Sequence, residues 1–318
     1  MGESSRTLLV AVALVAVAQA LLPVPARTRV SVPQAQTSVS VPQTLAAWAQ
    51  PGPFRVAIED AEWPDSARHL VIRARIYRPV DTGKHPLVIF SHGLGNSRLG
   101  YRYLGEHWAS WGITTVHVEH PGAGEDLARR GLIALYRAGF NHDLRRSAVA
   151  DVHFVLDRVA LDAGPIGVAG HSLGAYVAIA SAGAIHGVDG DARVRAAIAL
   201  SMSENLPAAG YGSTNVPILH FTGTRDSSLL YATTKRMRRI PFENITAPVA
   251  DLVTIEGANH STFSADDRSA TQPRIDLIKA LTLLWWKAWL EHDAEAQRIW
   301  SDAHLGESLR PIAKLERK

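Results

Sequence analysis

Two kinds of apolar pattern alternate along most of this chain. Leu87 to Phe90, Ile113 to Val118, Ile166 to Ala169, Ala196 to Leu200, Ile218 to Phe221 and Leu252 to Ile255 are short runs without polar alternation, as expected of strands covered on both faces. Between most of them, Arg98 to Trp111, Leu144 to Val159, Leu173 to Ile185, Ser228 to Arg238 and Arg274 to Leu290 carry apolar residues at helical spacing. Ahead of these, Phe54 to Ile58 and Leu70 to Arg78 read as peripheral antiparallel strands, the second alternating apolar and charged residues. Strand and helix in turn predict an α/β fold, a mostly parallel central sheet with helices on both faces.

The first 53 residues read differently. Arg6 precedes an unbroken apolar run, Leu8 to Ala18, and then Ala18-Gln19-Ala20; this is the order of an export signal, residues 1–20. The run is shorter than the ~20 residues that span a bilayer, so the pattern predicts an exported protein, secreted or periplasmic, with an uncleaved anchor as the competing reading. Residues 21–53 are rich in Pro, Ser, Gln and Val and repeat SVPQ at Ser31 and Ser40, which predicts an extended linker. Residues 54–318 then form one catalytic domain.

Composition narrows the chemistry. With 47% apolar and 20% charged residues, 318 residues can bury a full core. There is no cysteine, so disulfides, thiolate metal sites and a cysteine nucleophile are excluded. A net charge of +3 is weak evidence for an anionic partner, and no motif supports nucleic-acid binding.

Ligands of such sheets sit beyond the carboxyl ends of the strands. After Ile166 to Ala169 stands Gly170-His171-Ser172-Leu173-Gly174, a G-x-S-x-G between strand and helix. The tight turn lifts a serine hydroxyl into the open, and a Cβ on either flanking glycine would collide with strand or helix. A serine needs a base, and the base needs an orienting group. Asp226, in the loop after Ile218 to Phe221, and His260, in the loop after Leu252 to Ile255, follow in the chain order this elbow requires. Glu256 is the reserve acid, whereas Asp251 precedes its strand and falls at the opposite edge. After Leu87 to Phe90, Ser91-His92-Gly93-Leu94-Gly95 forms a turn that aims Leu94 N–H at an acyl oxygen, with Leu173 N–H as the second oxyanion donor. His92 reads as a brace for that turn. The mechanism calls for no cofactor and no metal: His117 and His120, three apart on a strand, project from opposite faces.

The segment FSHGLGNSRLGYRYLGEHWASWGITTVHVEHPGAG, Phe90 to Gly124, resembles dienelactone-hydrolase-like proteins and secreted platelet-activating-factor acetylhydrolases within the α/β-hydrolase superfamily. The resemblance extends from about Leu70 to Leu290. It implies the α/β-hydrolase fold, a serine esterase activity, Ser172, Asp226 and His260 at the catalytic positions, and Leu94 and Leu173 at the oxyanion positions. True dienelactone hydrolases attack with cysteine, which this chain lacks, and Ala175 stands where the acetylhydrolase elbow usually has a second glycine.

Other features are read more plainly. Lys235, Arg236, Arg238 and Arg239 form the solvated end of a helix, with docking to anionic lipid heads as the competing reading. Residues 121–141 interrupt the strand–helix alternation and cover or border the site; Leu127, Leu132, Leu135, Tyr136 and Phe140 are read as plain packing, with the lining of an acyl pocket as the competing reading. Trp285, Trp286 and Trp289 lie at helical spacing and pack on the sheet. The leading expectation is a serine carboxylic ester hydrolase working through an acyl-enzyme on short-chain acyl, lipid or polyester substrates. An acyltransferase or amidase with the same triad, and a catalytically silent binding module, are the alternatives.

Overall fold

The computed structural model describes residues 40–160, 163–202 and 206–318. The expected export signal and residues 21–39 of the expected linker lie outside them. Among the described residues, nine strands form one sheet: β1 (Val56–Asp65), β2 (Leu70–Pro79), β3 (Leu87–Ser91), β4 (Thr114–Glu119), β5 (Ile166–His171), β6 (Val194–Leu200), β7 (Ile218–Gly223), β8 (Ala250–Ile255) and β9 (Ala313–Arg317). Their spatial order is β1-β2-β4-β3-β5-β6-β7-β8-β9. Strands β3 to β8 pair in parallel; β1, β2 and β9 are antiparallel additions at the two edges. This is the expected α/β architecture.

The apolar runs lack alternation because both faces are covered. On β3, Val88 and Phe90 join one core with Leu104, Trp108, Trp285 and Trp286, while Leu87 and Ile89 join another with Val116, Val152 and Val177. The first core lies under α2 (Arg102–Ser110) and α8 (Gln272–Trp289); the second under α5 (His142–Val159) and α6 (Leu173–Ser181). Trp285 and Trp286 are fully buried, as their spacing predicted.

Three expectations need correction. The segment 43–53, expected as the end of a free linker, begins with α1 (Gln43–Ala46) and a 3₁₀ turn (Ala47–Ala49) packed on α8. Leu45 and Ala49 are buried there, Trp48 stacks on Trp111 at 5.7 Å, and His107 donates to Trp48 O at 3.0 Å. Proline and serine frequency hid two well-spaced apolar anchors. Strand β1 is twice the expected length, because its outer half is held by Arg73 and Arg75 of β2 lying directly opposite Glu62 and Asp60 rather than by apolar burial. Residues Ser228 to Arg238 are not a helix but a turn closed by Ser228 and Thr233, then a 3₁₀ turn (Met237–Arg239) leading into α7 (Ile240–Asn244). Beyond α8, α9 (Ala294–Ser301), α10 (Leu305–Ser308) and β9 continue the fold to the far edge of the sheet.

Leu45→Ala is expected to lower unfolding free energy by about 2–5 kcal/mol, as for other fully buried leucines. Urea unfolding measures this; a change below about 0.5 kcal/mol, the size of a surface substitution, would show that 43–49 does not belong to the core.

Candidate active site

Ser172 stands between β5 and α6 with φ 56° and ψ −114°, outside the regions that L-residues ordinarily occupy. Its flanking glycines explain how the bend closes. A Cβ on Gly174 would sit 1.9 Å from Ser91 O, and one on Gly170 would sit 2.2 Å from Gly174 O. Both collisions are with backbone, which cannot swing away.

His260 opens a 3₁₀ turn (His260–Ser264) fixed by a capping box in which Asn259 and Thr262 bond each other's backbone N–H. Ser172 O–H donates to His260 Nε2 at 2.9 Å. Asp226, fully buried in the loop after β7, places Oδ1 3.4 Å from His260 Nδ1. The structure therefore brings together all three residues of the expected triad. Glu256 stays outside, exposed and bonded by Thr224, and Asp251 accepts from Trp300 Nε1 at 2.7 Å. Leu94 and Leu173 line one small pocket with Ser172, Ala138, Gly139, Arg145, Tyr176 and Tyr231. Among the described residues, no turn or loop backbone hydrogen bond takes up the N–H of either leucine.

Around this centre is a buried polar frame that sequence reasoning only partly found. His92 Nδ1–H donates to Gly93 O at 2.8 Å, and its Nε2 accepts from His120 N–H at 3.1 Å, so it braces the Leu94 turn as expected. Burial pushes its pKa down to about 3 and keeps the ring neutral. His120 Nδ1–H in turn donates to Asp151, which pairs with Arg68. On the other side, His171 Nε2–H donates to His260 O at 3.0 Å, so its Nδ1 accepts from Tyr101 O–H at 2.7 Å, and Tyr101 accepts from Gly93 N–H at 3.2 Å. One histidine thus links the serine elbow, the oxyanion turn and the loop of His260. His117 belongs to neither chain; it bonds Gly100 O and packs on Phe90.

Two further residues at the centre went unrecognised. Arg238, read as part of a solvated basic run, is 3% exposed and lies 3.1 Å from Asp226 Oδ1 through Nε. Its neighbour Arg239 pairs with Glu316 and Glu243, so two of the four basic residues are engaged within the fold. No sequence signal separates a buried arginine from exposed ones in KRMRR. Ser201, one residue beyond β6, lies 2.6 Å from His260 Nδ1 through its hydroxyl, and the carboxyl-edge rule that found Asp226 would also have named it. Burial alone would raise the Asp226 pKa, yet the His260 hydrogen bond, Arg238 and Ser201 outweigh it and hold the carboxyl down at about 2. Desolvation pulls the His260 imidazole below 6.5, with the Asp226 bond opposing and Arg238 reinforcing.

None of the five residues considered for an acyl pocket lines the small pocket at Ser172. Residues 121–141 do border the site, as α3 (Glu125–Arg129) and α4 (Leu132–Gly139). It is Ala138 and Gly139 that line the pocket, while Leu132 and Phe140 face outward, because α4 turns its C-terminal end toward Ser172. A larger cavity of about 460 Å³ opens at the amino ends of β5 and β8, away from the triad.

The family profile described as platelet-activating factor acetylhydrolase, isoform II, matches residues 64–124. Over this segment the chain is similar to that family. The matched segment includes the Leu94 turn but stops short of Ser172, Asp226 and His260. No curated protein matches the chain significantly.

Because the Asp226 carboxyl titrates near 2 in the fold and near 3.8 ordinarily, it contributes stability that is present above about pH 4 and lost as pH falls toward 2. Asp226→Asn removes that dependence. The stability difference between the native protein and this variant should shrink by on the order of 2 kcal/mol between about pH 5 and pH 2, read from urea unfolding; a constant difference would contradict the depressed pKa.

Proposed function

We propose that the protein is an exported serine hydrolase of short-chain carboxylic esters. The observation that carries this reading is the contact between Ser172 Oγ and His260 Nε2 at 2.9 Å, with Asp226 behind the imidazole. His260 Nε2 takes the Ser172 proton as Oγ attacks the acyl carbon, and the resulting imidazolium passes that proton to the leaving alcohol. Leu94 N–H and Leu173 N–H donate to the tetrahedral oxyanion, the second from the first turn of α6, where its N–H has no helical partner. Water, deprotonated by the same Nε2, then attacks the acyl-enzyme and releases Ser172. His260 and Ser172 supply the base and nucleophile, so no metal or cofactor enters a step.

The size of the pocket argues for a short acyl group. Its volume is about 30 Å³, room for roughly two water molecules, between Tyr176, Tyr231 and the end of α4. Burial of the acyl chain is confined accordingly.

Ser172→Ala should abolish p-nitrophenyl acetate turnover and fluorophosphonate labelling while unfolding normally in urea. Undiminished hydrolysis by that variant would overturn the assignment. Across p-nitrophenyl esters, kcat/KM should fall at least tenfold from acetate to octanoate, given about 1–3 kcal/mol per misfitted methylene; a flat or rising series would contradict the short-acyl reading. Since His260 must be neutral to act as base and its pKa is lowered, the acid limb of kcat/KM should have its midpoint below pH 6.5. A midpoint above that value would show that desolvation does not dominate at this imidazole.

A further inference from the structure

We propose that Tyr231 sets the length of acyl group the site accepts, its ring closing the pocket beside Ser172 against Gly139 of α4. This rests on the serine-hydrolase reading and names the residue that limits its substrate. The walls of the pocket differ in origin. Leu173 and Tyr176 belong to α6, and Leu94 to the turn after β3. Tyr176 is buried under the Arg145 guanidinium, 5.5 Å from its ring, so that wall is part of the core. Tyr231 instead comes from a surface turn whose Leu229 is 81% exposed. It is the wall that can change without disturbing the sheet or its helices.

The seat of the ring on α4 requires a glycine. A Cβ on Gly139 would lie 2.4 Å from Tyr231 Cε1, so the ring packs directly on the backbone of the last helical turn. One turn earlier, on the same face of the helix, Leu135 O accepts from the Tyr231 hydroxyl at 3.1 Å. Ring and hydroxyl together lay the tyrosine along the C-terminal end of α4. The turn that carries it is closed by two backbone bonds, Ser228 N–H to Thr233 O at 2.8 Å and Thr233 N–H to Ser228 O at 2.9 Å, and it begins just after Asp226. The stop is thereby fixed to the loop of the triad acid on one side and to α4 on the other. Beyond it stand Phe140, 6.3 Å away between ring centroids, and Tyr136, edge-on to Phe140 at 5.1 Å. With the Tyr231 ring removed, a longer acyl chain meets these aromatic faces and gains apolar contact where it now meets a wall.

The test compares Tyr231→Ala, Tyr231→Leu and Tyr231→Phe with the native protein, all in the full chain, on p-nitrophenyl acetate and p-nitrophenyl octanoate. Rates are taken per site labelled by a fluorophosphonate, so that any unfolded fraction drops out. In Tyr231→Ala the octanoate-to-acetate ratio of kcat/KM should rise at least about tenfold, the lower end for one methylene newly accommodated. Tyr231→Leu fills part of the space with an apolar side chain and should show a smaller rise in the same direction, which keeps the test decisive if the alanine variant does not fold. Tyr231→Phe keeps the ring and loses only the bond to Leu135 O, so its ratio should stay within about threefold of the native one, the scale of a single neutral hydrogen bond. Acetates of graded alcohol length should keep their native order in every variant, because the pocket receives the acyl side. Native ester ratios in both Tyr231→Ala and Tyr231→Leu would overturn the proposal. So would a rise in Tyr231→Phe equal to that in Tyr231→Ala, or a shift in the alcohol series in place of the acyl series. Failure of the native protein to turn over ester or take the label would instead overturn the hydrolase reading, and this proposal with it.

Discussion

Contact between two stretches of backbone, the first turn of α6 against the end of β3, is the constraint on which the site depends. Gly174 lies against Ser91 O with no room for a side chain. This contact lets α6 start immediately after the strained residue at φ 56°. A bend of that kind costs about 1–3 kcal/mol and persists only if its surroundings over-determine it. Here they do: every residue of α6 is buried, and β5 is paired in parallel on both sides. The same contact brings the turn after β3, with Leu94, beside the nucleophile. Leu94 and the Ser172 hydroxyl are neighbours because one close approach fixes both loops.

Burying many polar groups at such a centre is stabilising only if their donors and acceptors match. The histidines here meet that condition through complementary ring nitrogens. His92 donates from Nδ1 and accepts at Nε2, whereas His171 does the reverse. Both rings are desolvated, which drives them neutral, so each keeps one donor and one acceptor at ordinary pH. The tautomer of His171 follows from the carbonyl it faces, and that carbonyl belongs to His260. Position of the base, the nucleophile and the Gly93 N–H is thereby transmitted through hydrogen bonds whose direction cannot reverse without breaking one of them.

Periodicity and the carboxyl-edge rule were enough to find the sheet and to bring Ser172, Asp226 and His260 to one rim. Long apolar strands buried on two faces leave a strong local signal, and catalytic residues one step past a strand end inherit it. The parts that escaped have a common physical cause: tertiary contacts rather than local pattern hold them. Outer β1 is stabilised by ion pairs with β2, residues 43–49 by Leu45 and Ala49 reaching a core built much later in the chain, and Arg238 by a carboxylate it meets only after folding. Ser201 is a different case. Its position after β6 was visible, but a lone serine has no characteristic spacing, and only the distance to His260 gives it meaning.

Arg238 changes the electrostatics of the relay as well as its geometry. A carboxylate as deeply buried as Asp226 carries a large desolvation penalty, and Arg238 together with the Thr222 hydroxyl offsets it. A buried ion pair of this kind is weak as a source of stability, but it keeps the acid ionised. It also has a second effect of opposite sign on the base. The guanidinium disfavours an imidazolium at His260 while the carboxylate favours it, and desolvation adds to the former. The base therefore stays neutral and ready into mildly acidic conditions, at the expense of some basicity. The Ser201 hydroxyl, 2.6 Å from His260 Nδ1, fits that compromise: a short bond orients the ring while Asp226, 3.4 Å away, shares its charge with the arginine.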